Sequence, residues 1–407
     1  MILAIYRTKL SEISENIGKM NKKYKEKRLL IYLLLILNMI LIIILCLILR
    51  PQESIQGFVS KPEIEPEMKT NVGFPIFEEG DQVPCSVSSN EIRPQVTFSG
   101  RWFEKEINGV RAMVTLNEGA SFWFKTEGIS ELEILFMEIT ALETPYYTYI
   151  IDGNISQRQK ITQKTILLPD NHEHVVQIVI DGINEREDKW NGEIGVAFAG
   201  INSKSGKITP VPLNKKQIIF VGDSITEGIM ALSDNALSDY NSATHSFPWY
   251  TAQFLNAEPY FVGYGATGIV ATGSFSTCEN MLDYYSADRE IPLTEFPPCD
   301  LVVINMGTND FGVESPFFIE EYQKVLKKLH ERYLDVDIIC MIPFTQLHAE
   351  DIRKAAENYE WCHVIETADW ELTYSDGIHP DVNGAKLVAE KLYQYIIEND
   401  IGISFRQ

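Results

Sequence analysis

Two stretches in the C-terminal half of the chain repeat their apolar positions at helical spacing. In PFFIEEYQKVLKKLHERY, Phe318, Tyr322, Val325, Leu326, Leu329 and Tyr333 fall on one face, and near the end Ala385, Val388, Ala389, Leu392 and Ile396 do the same. Steps of three and four residues mark amphipathic α-helices. Short apolar runs at 218–221, 260–262, 301–305, 337–342 and 363–365 are interleaved with such segments and read as buried strands. Strands alternating with helices predict an α/β unit over 213–402, a parallel sheet wrapped by helices. In such sheets ligands bind beyond the carboxyl ends of the strands.

The pattern over 91–212 has a different period. QVTFSGRWF, ASFWFKTEG, LEILFMEIT, YYTYIIDGN, HVVQIVIDG and EIGVAFAGI alternate apolar and polar positions and are rich in β-branched and aromatic residues, and Asp-Gly or Glu-Gly breaks recur among them. These features predict an all-β sandwich, jelly-roll-like in type. Neither region contains an internal repeat or a low-complexity tract. Residues 50–90 are rich in Pro and Glu with little periodicity and read as a linker. Before them, 29–49 is 21 residues without a charge. As a helix it would span about 31 Å, the thickness of a hydrocarbon core. Lys19, Lys22, Lys23, Lys25, Lys27 and Arg28 precede it and only Arg50 follows closely. The expectation is a single-pass transmembrane anchor, with a cytoplasmic basic segment at 1–28 and the body of the protein outside the cell. A cleaved signal peptide would have a shorter apolar region and small residues at a cleavage site, which RPQESIQG does not offer.

Charge sharpens this division. The chain carries −22 in all, but residues 1–50 hold nine Lys/Arg against three Asp/Glu, and 51–407 hold 26 against 54. An acidic body repels polyanions, so nucleic acid is not an expected partner; a solvated surface is the plainer consequence of the same charge. Of six cysteines, Cys46 lies in the apolar span, leaving Cys85, Cys278, Cys299, Cys340 and Cys362. Five is odd, so at least one thiol stays free or pairs between chains. Cys340, in DIICMI, reads as a core thiol; Cys278 and Cys299 are placed to bridge a loop or to stay reduced. No CxxC or HExxH occurs, and neither a metal nor a cofactor is expected.

Four motifs sit where strands end. FVGDSITEG follows the first strand, and its Ser224 and Glu227 form a Ser-x-x-Glu capping box; the same turn would also present Ser224 as a nucleophile. VGYGATGIV places Gly268 after the second strand, as a plain turn or as a backbone N–H close to a bound oxygen. VVINMGTND ends the third strand with Asn309, a turn former or an amide aimed at that oxygen. SDGIHPDVNG carries Asp376 and His379 three apart, with Asp381 in a helix-capping position. Taken together these are the parts of acyl transfer: a serine needs a base to remove its proton, an imidazole serves near neutral pH, and a carboxylate fixes its tautomer. Of seven histidines only His379 combines a carboxylate at i−3 with a strand-to-helix position, with His245 second.

GDSITEG, Gly268 in GATG, GTND and DGIHP, in that order over roughly 165 residues, resemble the four blocks of the SGNH (GDSL-type) hydrolases. The resemblance implies a flavodoxin-like three-layer fold with a five-stranded parallel sheet and hydrolysis of carboxylic esters. It implies Ser224 as nucleophile, His379 as base and Asp376 as its partner, with Ser224, Gly268 and Asn309 forming the oxyanion hole. Gly263 departs from the pattern, standing where many relatives carry Asn. A β-sandwich ahead of the hydrolase, and NSATHSFPWYTAQFLNAE after the first block, resemble carbohydrate esterase family 2, which removes acetyl groups from plant-type polysaccharides. Some of that family lack the acidic residue; here Asp376 is in place. An acetylated polysaccharide, or another ester, is the expected substrate, and Trp249 and Trp370 are either sugar platforms or core residues. A lipase or thioesterase, and a glycan-binding protein with an inactive site, are the competing readings.

Overall fold

The computed structural model describes residues 96–402 except 138–140, 214–215 and 273–275. Period-two alternation builds its first half. Along Glu131–Met137 every second side chain, from Leu132 to Phe136, is buried and those between are exposed or half-buried. This places one face of the strand on a core. Two antiparallel sheets result. One joins Thr97–Ser99, Ser121–Glu127, His174–Gly182, Tyr146–Ile151 and Asn154–Lys160, with Lys207–Pro210 also on Ser121–Glu127. The other runs Phe103–Ile107, Val110–Thr115, Val196–Asn202, Glu131–Met137 and Thr165–Leu167. They share one aromatic core, in which Phe122 of the first sheet lies 4.2 Å, centroid to centroid, from Phe198 of the second.

The second half holds strands β1 (Gln217–Gly222), β2 (Glu258–Gly263), β3 (Leu301–Asn305), β4 (Ile338–Met341) and β5 (Cys362–Ile365). All pairs are parallel, in the order β2-β1-β3-β4-β5. Six helices accompany them: α1 (Ser224–Glu227), α2 (Phe247–Phe254), α3 (Cys278–Asp283), α4 (Ser315–Arg332), α5 (Ala349–Ala356) and α6 (Val382–Glu398). Alternate residues of each strand face opposite helical layers. Ile219, Val302 and Ile338 pack with Phe318 and Leu326 of α4, whereas Ile218, Val303 and Ile339 pack with Val388 and Leu392 of α6. The apolar faces read from the sequence are the buried ones, except that Tyr333 falls just past the end of α4 and is half-buried. Chain order reverses direction across the sheet between β1 and its two neighbours, so the crevice opens beyond the carboxyl ends of β1 and β3.

The sandwich is welded to this sheet. Phe103, Val114 and Ala197 from its second sheet lie in the same apolar cluster as Ile219 and Val262. Gly119, at φ +80°, turns the sandwich backbone directly over Phe261, and a Cβ there would come within 2.2 Å of the ring. Gly119→Ala therefore combines left-handed strain with overpacking and is expected to lower stability by about 2–5 kcal/mol, read from urea unfolding.

One part of the expected architecture is corrected. The structure contributes no transmembrane helix: no helix among the described residues is long and apolar enough to cross a membrane. The span at 29–49 lies outside the described residues, as do the basic segment at 1–28, the linker at 50–90, Cys46 and Cys85. Cys278, Cys299, Cys340 and Cys362 are all free, so the loop bridge from Cys278 to Cys299 is not made; Cys340 is buried in β4.

Candidate active site

Ser224 stands at the first position of α1, directly beyond β1. The cap of that helix is Asp223, whose Oδ1 accepts the Ile225 N–H at 3.0 Å. The capping box expected of Ser224 and Glu227 is thus not used: a neighbour does the capping, which leaves the serine hydroxyl for other work. Gly228 closes α1 at φ +85°, where a Cβ would lie 2.3 Å from the Ser242 carbonyl oxygen.

Ser224 Oγ is 2.9 Å from His379 Nε2, and His379 Nδ1 is 2.8 Å from Asp376 Oδ2. The other carboxylate oxygen, Asp376 Oδ1, accepts the backbone N–H groups of Ile378 at 2.9 Å and His379 at 2.8 Å. Asp376 is therefore both turn former and imidazole partner, and each role fixes the other. Partial burial opposes its charge, but these hydrogen bonds and the histidine ring outweigh that and hold the carboxyl below the ordinary carboxylate range. Asp381 caps α6 as its sequence position suggests, accepting from the N–H groups of Asn383 and Gly384. The Ser224 side lies within the crevice, with 7% of the residue exposed, so a substrate reaches it from one direction.

Gly268 and Asn309 arrive at the same edge, but their donors are engaged. The Gly268 N–H donates to Ala271 O at 2.9 Å. The Asn309 amide donates to Thr267 O at 2.9 Å and to Asp223 Oδ2 at 3.1 Å. Burial pushes the Asp223 carboxyl up to about 7, with the charges of Glu227, Asp310 and Glu185 adding to the effect and the Ile225 N–H opposing it. His245 is not brought to Ser224. Its Nδ1 lies 2.8 Å from Ser242 Oγ, and burial holds its ring below the ordinary histidine value. Trp249 is a core residue beside Phe261, while Trp370 is half-buried next to Phe344.

Asp310 is the residue that sequence reasoning passed over. Wholly buried, its carboxylate accepts the N–H groups of Ile269 (2.8 Å), Val270 (2.8 Å) and Ala271 (2.9 Å). A Cβ on Gly268 would sit 2.5 Å from it. The residue following Asn309 thus holds the loop after β2 in place, and its adjacency to Asn309 in GTND was the available signal. Among the described residues no group of three or more His, Cys, Asp or Glu is arranged to hold a metal ion.

The arrangement is one in which an imidazole, oriented by a carboxylate, can take the proton of a serine hydroxyl as that oxygen attacks a carbonyl. Residues 220–387, which contain every side chain of this constellation, match the GDSL-like lipase/acylhydrolase family. On that match the protein is a carboxylic ester hydrolase. No curated protein matches it in sequence. Solved structures similar to it include a family two carbohydrate esterase from Clostridium thermocellum in complex with cellohexaose, 18% identical with a TM-score of 0.62, covering 76% of this chain and 100% of that one. A family two carbohydrate esterase from Cellvibrio japonicus is 17% identical, with a TM-score of 0.63 over 75% of this chain and 95% of that one. An acetyl xylan esterase from the rumen bacterium Butyrivibrio proteoclasticus is 17% identical, with a TM-score of 0.62 over 79% and 98%. At such identities what is shared is the fold, and the shared fold takes in the sandwich as well as the GDSL-like hydrolase part.

Proposed function

We propose that this protein is a serine esterase that removes O-acetyl groups from a polysaccharide. The observation that carries the reading is the pair of short contacts linking Ser224 to His379 and His379 to Asp376, 2.9 Å and 2.8 Å. In this reading His379 takes the Ser224 proton as Oγ adds to the ester carbonyl, then returns it to the departing sugar hydroxyl. Asp376 stabilises the imidazolium between those steps. Water, activated by the same imidazole, releases the acetate. The oxyanion is held by the backbone N–H of Ser224, with Gly268 and Asn309 exchanging their present acceptors for the substrate oxygen. One such donor is worth about 3–4 kcal/mol of barrier. The acetyl and polysaccharide assignments draw on the similar structures, one an acetyl xylan esterase and another binding cellohexaose.

The test is a comparison of 4-nitrophenyl acetate with 4-nitrophenyl butyrate, followed by acetate release from acetylated xylan. A preference for acetate of about tenfold or more in kcat/KM is expected, because a pocket sized for a methyl group rejects added methylenes by that order. A preference for the longer chain would replace the reading with a lipase or thioesterase. No hydrolysis of either ester by folded protein would replace it with glycan binding.

A further inference from the structure

The turn that presents Ser224 rests on a charge that comes from the other half of the protein. Lys189 lies on the short helix Lys189–Gly192, between the sandwich strands His174–Gly182 and Val196–Asn202. Its side chain is wholly buried, and Nζ is 2.5 Å from Glu227 Oε1. Glu227 is the last residue of α1, three positions after Ser224, and its side chain is 1% exposed. A second sandwich carboxylate, Glu118, is also wholly buried. Its Oε1 accepts the Ile183 N–H at 2.6 Å, its Oε2 has no hydrogen-bond partner, and at Glu227 the Gly265 N–H adds to the lysine in favouring the charged carboxylate. Asp223, wholly buried at the other end of α1, adds a third carboxyl to the neighbourhood.

A carboxylate taken out of water without a partner is costly, and removing one member of a buried ion pair leaves the other uncompensated. Burial drives both Glu118 and Glu227 upward from the carboxylate range, and in both the Lys189 ammonium is the largest opposing influence. The ammonium itself loses hydration, but Glu227 and Glu118 outweigh that and keep it charged. The sandwich makes a second contact in the same place: Asn117 Nδ2 donates to Gly263 O at 2.8 Å, at the end of β2. A Cβ on Gly263 would lie 3.3 Å from Glu227 Cγ, so the bare glycine leaves room for the Glu227 side chain on its way to the lysine.

We propose that Lys189 is a positioning residue for the reaction: its ammonium, delivered by the sandwich, holds α1 through Glu227 and so sets where Ser224 Oγ stands relative to His379. The sandwich is in this sense part of the active site without touching substrate. The inference rests on the assignment of Ser224 as nucleophile.

The experiment measures kcat and KM on 4-nitrophenyl acetate for the whole protein and for Lys189→Met, Glu227→Gln, the two together, and Ser224→Ala. Lys189→Met is expected to lower kcat by about tenfold or more, since a displacement of the reacting atom by a fraction of an ångström acts on the chemical step. KM should stay within about twofold, because substrate contacts are untouched. Adding Glu227→Gln to Lys189→Met removes the stranded carboxylate and should restore at least about half of that loss on a logarithmic scale. A merely structural role would lower the melting temperature without moving kcat in the folded fraction. The proposal is overturned if folded Lys189→Met turns over like wild type, or if the double variant is no better than it. Should Lys189→Met not fold, Glu227→Gln keeps the ammonium against Glu118 and still loosens α1; wild-type kcat in that variant would equally sink the idea. Wild-type turnover that persists in Ser224→Ala would instead overturn the nucleophile assignment, and the positioning role with it.

Discussion

Ser224→Ala and His379→Ala are each expected to lower kcat/KM for 4-nitrophenyl acetate by about 10⁴-fold or more, and the double variant should be no worse than either alone. The reason lies in the geometry. The serine hydroxyl is a poor nucleophile until a base takes its proton, and the base in contact with it is His379, 2.9 Å away. Without the hydroxyl there is nothing for the imidazole to activate; without the imidazole the hydroxyl stays protonated. The two effects are one effect and cannot add. Asp376→Ala should lie between wild type and those variants, since the ring survives but loses both its orientation and the partner of its charged form. Folding should change little in Ser224→Ala, because a single hydrogen bond of about 1 kcal/mol is lost. Circular dichroism and urea midpoints check that point, and progress curves at high enzyme concentration measure the residual rate. Hydrolysis surviving in Ser224→Ala at near wild-type rate would remove Ser224 from the mechanism.

Asp310→Ala is expected to cost stability and activity together. The wholly buried carboxylate serves three backbone N–H groups in a turn, that of Ile269 buried and those of Val270 and Ala271 partly so. Truncation strands all three donors, each at roughly 1–3 kcal/mol; with some relaxation a loss of about 3–5 kcal/mol is expected in urea unfolding. The same turn carries Gly268, and its carbonyl at Thr267 accepts the Asn309 amide. Its loosening should therefore lower kcat by about 10²-fold even in the folded fraction. Asp310→Asn offers one acceptor oxygen and a donating amide in place of two acceptors, and should fall between. A stable Asp310→Ala protein would show that the loop after β2 is held by its packing instead.

Much of the layout was legible because it is written in short-range periodicity. The faces of α4 and α6, and the five strands of the parallel sheet, follow from which residues are apolar at spacings of two, three and four. Burial enforces those spacings locally, whatever the rest of the chain does. The proximity of Asp376 to His379 is equally local, three residues within one turn. Side-chain partnerships across the fold were not legible. The meeting of Ser224 Oγ with His379 Nε2 joins residues 155 apart in the chain. The engagement of Gly268 and Asn309 with Ala271, Thr267 and Asp223 depends on how three loops meet.

By itself, then, the sequence determined the alternation of elements, the two halves with their different periods, and the motifs that end the strands, because each is a property of neighbouring residues. The tertiary structure decided which hydroxyl meets which imidazole, which carboxylate braces the loop after β2, and that a sandwich lysine reaches under the nucleophile turn. Nothing around Lys189 in KWNG distinguishes it from a surface lysine. Its burial against Glu227 is fixed only when an antiparallel sheet packs on a parallel one, since the energy of a buried charge is set by what surrounds it in space, not by what adjoins it along the chain.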